Sequence, residues 1–150
     1  MTQTHPRADW LGLIALLCLL TLVVSYPGEA AAQSARPHPT NQWTTMDTLL
    51  EVSWQIVHAM DWGQTLEIAR HPQQWYERNP VLGRHPSVGQ VHAYMSAWAV
   101  LHPVVSVLLP TQAELLGMTL HPRQLWQMVT LTVSTTAVVS NVHLGVHVKF

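Results

Sequence analysis

Charge is what this chain has least of. Of 150 residues, 7 are Lys or Arg and 8 are Asp or Glu, 10% together, where a soluble domain carries roughly 25%. At a formal net charge of -1, no basic surface exists to neutralise a run of phosphates, which argues against nucleic-acid binding. The same shortage excludes an acidic, solvating chain. Cysteine is limited to Cys18, which leaves neither an internal disulfide nor a thiolate cluster. The residues before it, Ala15-Leu16-Leu17, lack the small residue that a lipoprotein site needs directly upstream. Missing too are a phosphate-cradling glycine loop and any G-x-S-x-G setting for Ser53, Ser87, Ser96, Ser106, Ser134 or Ser140.

What is present is apolar surface, 48% of the residues, with 7 Trp and 10 His. Leu11 to Val24 is an apolar run without a charged residue, and Ala30-x-Ala32 follows it as a cleavage site, so residues 1–32 read as a signal peptide or a retained anchor. Arg36 to Thr45, with Pro37 and Pro39, reads as a polar linker over 33–45. Val88 to Leu109 and Gln124 to His147 each lack a formal charge and are long enough to cross a membrane. Pro103 falls inside the first, and Pro122 opens the second. A short amphipathic piece around Thr111 to Met118 is expected between them. Trp10, Trp43 and Trp126 near helix ends suit headgroup boundaries. If the amino terminus is inside, Arg7, Arg70, Arg78, Arg84 and Lys149 are cytoplasmic, and Arg36 and Arg123 are outside, in keeping with the positive-inside tendency.

Met46 to Arg70 has no Pro and predicts one helix. Asp47, Glu51, Trp54, His58, Asp61 and Thr65 fall within about 80° of one another at 100° per residue, opposite Leu49, Val52, Ile56, Met60 and Gly63. Ionisable groups on an apolar helix are costly and therefore paired or functional. Ligands from this stripe, Glu51, His58 and Asp61, joined by His92, His102, Asn141 or His143, are the candidate metal set. His102 is also one of six His residues that precede Pro, a pattern that reads as punctuation and leaves His58, His92, His143 and His147 to be tested.

Beyond that helix, Trp75 to Ser87 is a loop in which Pro80 extends Asn79, Gly83 turns the chain, Ser87 caps the next helix and Glu77 accepts hydrogen bonds. Asp61-x-x-x-Thr65 followed by Glu77-x-Asn79-Pro80-x-Leu82-Gly83 resembles small membrane proteins of bacteria and their phages, including a family known only as a domain of unknown function. The resemblance covers residues about 43 to 150 and takes in His58 to Thr65, Pro86-Ser87 and Asn141 to Gly145. It implies several helices in a membrane, with Asp61, Thr65, Glu77 and Asn79 as a shared polar framework, and it implies no activity.

These readings lead to an all-α bundle of three to four membrane-spanning or strongly apolar helices over 46–150. The expected role is a non-enzymatic membrane interaction or accessory protein of a bacterium or phage. Its expected place is the inner membrane, with the carboxyl terminus cytoplasmic, the bilayer and a protein or second copy as partners, and no cofactor. The alternatives are an intramembrane metal-binding protein or hydrolase using Asp47, Glu51, His58 and Asp61 with Glu77, and a soluble periplasmic helical domain.

Overall fold

Three helices and one hairpin make up residues 42–148, the part of the chain that the computed structural model describes. The expected signal segment, its cleavage site and Lys149 lie outside these residues. Helix α1 spans Thr45–Arg70. It opens on a capping box in which Thr44 Oγ1 accepts from Asp47 N and Asp47 Oδ2 accepts from Thr44 N, satisfying two orphan donors of the first turn. It ends at His71-Pro72, where His71 N donates to Glu67 O and Ile68 O.

Helix α2, Val88–Leu108, starts on a second capping box between Ser87 and Gln90. Helix α3, Pro122–His143, starts on Pro122, whose fixed φ and missing N–H cost nothing in a first turn. After α3, Gly145 takes φ +83 and Val146 N returns to Asn141 O. The tail then buries Val146 and lays Val148 on Gly63, where a Cβ would come within 3.0 Å of the valine methyls. Only a glycine allows this approach of tail to helix.

Between α2 and α3 the expected amphipathic piece is a hairpin of β1, Ala113–Leu115, and β2, Met118–Leu120, paired antiparallel with Leu115 opposite Met118. Leu116 and Gly117 both have positive φ, as a two-residue primed turn requires. The described residues are thus mostly helical, with one small sheet added to the all-α expectation.

Chain direction follows from the cross-helix bonds. The amino end of α1, the carboxyl end of α2 and the amino end of α3 meet at Arg123, so α2 runs antiparallel to α1, and α3 parallel to it. α1 packs on both neighbours, whereas α2 and α3 meet each other least. Among the described residues one helix, α2, is long and apolar enough to cross a membrane by length and composition. Three such spans were expected. α1 and α3 fall short because the inward-facing polar residues lower their mean hydropathy.

Candidate functional site

The polar stripe of α1 faces the interior: Asp47, Glu51, Trp54, His58 and Thr65 are buried, while Leu49, Val52, Ile56 and Met60 are exposed. The chain therefore puts charge inside and aliphatic side chains outside. The resulting seam has three parts.

At the first end, Arg123 is 1% exposed and Asp47 0%. Arg123 Nη1 lies 3.2 Å from Asp47 Oδ2, Nε donates to Ser106 O at 2.8 Å and Nη2 to Leu109 O at 2.9 Å. The guanidinium thus caps the last carbonyls of α2 and neutralises the buried carboxylate of α1, a use of its planar fork that an ammonium cannot copy. Trp43 covers it, ring centroid 5.1 Å from Arg123 Cζ.

In the middle sits Glu51. Its carboxylate accepts from His102 Nδ1 at 2.9 Å, Ser106 Oγ at 3.0 Å, Gln127 Nε2 at 3.2 Å and Gln55 Nε2 at 3.2 Å, which fills the lone-pair positions of an ionised carboxylate. On the other side of the ring, His102 Nε2 is 2.7 Å from Thr130 Oγ1. The His102 ring stacks on Trp54 at 3.6 Å with a 5° interplanar angle, and Trp126 lies 5.4 Å away at 27°. Trp54 also stacks on His58 at 4.6 Å. Trp126, expected at a headgroup boundary, is instead buried in this column.

Pro103 has a specific consequence here. It cannot donate to the carbonyl four residues earlier, that of Ala99, and Gln55 Nε2 of α1 supplies the missing donor at 3.1 Å. Gln55→Ala is expected to cost about 1–3 kcal/mol by orphaning that carbonyl. The loss shrinks in a Pro103→Ala background, where the helix regains its own donor. Denaturant unfolding of the two single variants and the double variant measures this coupling.

At the far end, Gln64 Nε2 donates to Val138 O at 3.3 Å and Asn141 Nδ2 to Gln64 Oε1 at 3.1 Å. The loop beside it is held by its own polar groups. Glu77 Oε1 accepts from Arg78 N and Asn79 N, both at 2.8 Å, and Asn79 Oδ1 accepts from Val81 N at 3.0 Å. Asn79 Nδ2 reaches Tyr94 Oη at 2.9 Å, and Gly83 takes φ +75 just after Pro80 and its turn. Asp61 is half-buried and close enough to Glu77 for the two carboxylates to repel.

The expected metal set is not brought together. Glu51 belongs to the His102 network, and His58 Nε2 bonds Met95 O at 3.0 Å. His92 is exposed with its ring edge-on to Trp62, and His143 is exposed at the end of α3. Among the described residues no group of three or more His, Cys, Asp or Glu is placed to hold a metal ion. The residues that the sequence reading missed are Thr130, Gln127 and Arg123 as partners of the stripe; His102, expected only as an added metal ligand, is instead its centre. The one available signal was that His102 lies mid-span while the other His-Pro pairs bound helices or loops.

No protein-family model matches this chain, and neither a curated protein nor a solved structure matches it.

Proposed function

We propose that the chain is a small integral membrane protein whose three helices all cross the bilayer, α1 and α3 hidden from hydropathy by the seam they share. The observation that carries this reading is the inversion of the usual soluble pattern, with Asp47, Glu51, His58, Arg123 and Gln127 inside and Leu49, Val52, Ile56, Val104 and Met128 outside. In water, such exposed aliphatic side chains would forfeit hydrophobic stabilisation, while in lipid they are at home. Thr132, Thr135 and Thr136 on the outer face of α3 support it as well. Each hydroxyl donates to the carbonyl one turn back at 2.7–2.8 Å, which satisfies it without water.

The orientation has support of the same kind. Arg70, Arg78 and Arg84 are exposed at the far end of the bundle. Arg123 at the opposite end is consumed by Asp47 and backbone carbonyls, so the free positive charge of the described residues lies on one side. The positive-inside tendency then places the 71–87 loop and the carboxyl terminus in the cytoplasm. Within the bilayer, the bonded ends of the seam suit an interaction or accessory protein that presents a rigid helical surface.

Extraction of expressing membranes with alkaline carbonate tests the proposal. The protein is expected in the pellet and released only by detergent. Recovery in the carbonate supernatant overturns it in favour of a soluble helical domain.

A further inference from the structure

The middle of the seam differs from its ends. Arg123, Asp47, Gln64 and Asn141 are spent on joining helices, but Glu51, His102 and Thr130 stand in a line whose chemistry is specific. The carboxylate holds His102 Nδ1 at 2.9 Å, and Nε2 lies 2.7 Å from a hydroxyl. With Nδ1–H donated to Glu51, a neutral His102 leaves Nε2 as an acceptor directed at the Thr130 hydroxyl. Thr130 Oγ1 also lies 2.8 Å from Trp126 O and 3.1 Å from Gln127 O. Those carbonyls have helical N–H donors of their own, so the hydroxyl proton is able to rotate from them to His102 Nε2. A second observation points the same way. Trp126, one turn before Thr130 on the same face of α3, carries a buried indole N–H with no partner. Thr130 itself is half-buried, at the seam between α2 and α3 where the helices touch least.

We infer that Glu51, His102 and Thr130 form a nucleophile triad for acyl transfer from carboxylic esters of lipid, with Trp126 Nε1–H as donor to the oxyanion. Thr130 Oγ1 attacks the ester carbonyl carbon as its proton passes to His102 Nε2, and the carbonyl π pair moves onto oxygen as the oxyanion. Collapse of the adduct breaks the bond to the alkoxy oxygen, which leaves as the alcohol with the proton from His102. Water attacks the acyl-threonine by the same route, releasing the carboxylic acid and restoring the Thr130 hydroxyl. Glu51 is a positioning residue, orienting the imidazole without exchanging a proton. The lipid source of the ester rests on the membrane reading, and entry between α2 and α3 would follow from it.

The test is covalent labelling of the detergent-purified full chain with a water-soluble fluorophosphonate. Thr130 Oγ1 displaces fluoride from phosphorus, its proton passing to His102. Because the probe needs no bilayer, its result is independent of the carbonate extraction. One adduct is expected, mapped to Thr130 by peptide mass spectrometry. It is retained in Thr130→Ser, absent in Thr130→Val, slowed by about 10²-fold or more in His102→Gln, and formed at the parent rate in the outward-facing Thr132→Val. If His102→Gln fails to fold by near-ultraviolet circular dichroism, the Thr130→Ser and Thr130→Val pair decides. Folded parent protein that gains no adduct at Thr130, or an adduct formed equally fast in folded His102→Gln, overturns the proposal.

Discussion

Arg123→Ala is expected to destabilise the bundle by about 3–5 kcal/mol, the cost of leaving a buried carboxylate without its partner. Asp47 is 0% exposed, so it cannot turn to solvent when the guanidinium is removed. The same substitution strips donors from Ser106 O and Leu109 O, carbonyls at the end of α2 that no helical N–H serves. Arg123→Lys keeps the charge but reaches one or two of these acceptors at a time, and should fall between parent and Ala. Asp47→Leu with Arg123→Met removes both charges and should recover a large part of the single-variant loss. Chemical unfolding in detergent micelles, followed by near-ultraviolet circular dichroism, ranks the four proteins. Equal stability of Arg123→Ala and the parent would mean that the pair contributes nothing at this end.

The placement of Asp47 was legible because a helix repeats every 3.6 residues, and a stripe drawn at that period needs no knowledge of what it meets. The same arithmetic put Glu51, Trp54, His58 and Thr65 on the face that the structure buries. The loop from Glu77 to Ser87 was legible for a related reason: Pro80, Gly83 and Ser87 act on their immediate neighbours, so their effects are local. Thr130, and the part His102 plays beyond a candidate ligand, were not. Their bonds to one another and to Glu51 join positions 28 and 51 apart in sequence, and such partners leave no periodic trace. His102 was further masked by Pro103, since His-Pro elsewhere marks boundaries. The hairpin escaped because Leu116 occupies a left-handed position that Asn, Asp or Gly normally fills. The low mean hydropathy of α3 has a physical reason too: the uncharged stretch from Gln124 is rich in Thr and Gln, and absence of charge is not high hydropathy.

Trp54 is where the legible stripe and the illegible partners meet, and Trp54→Ala is the second large loss expected, about 3–5 kcal/mol for a buried indole truncated to a methyl. The indole is held between two imidazoles, His102 at 3.6 Å and His58 at 4.6 Å, both nearly parallel to it. Its loss therefore removes one wall from each ring as well as its own packing. His58 keeps its bond to Met95 O and His102 its bonds to Glu51 and Thr130, but the plane of each imidazole is no longer fixed by stacking. Trp54→Phe retains an aromatic face and should cost less than half as much as Ala, since offset ring pairs contribute about 0.5–1.5 kcal/mol beyond area. Trp54→Leu fills volume without a π face and separates packing from stacking. If Leu and Phe prove equally stable, the parallel rings contribute by bulk alone. If Phe exceeds Leu, the column of alternating Trp and His is held by its faces, and the His102 ring in Trp54→Leu should show broadened imidazole resonances by NMR while the helical circular dichroism is unchanged.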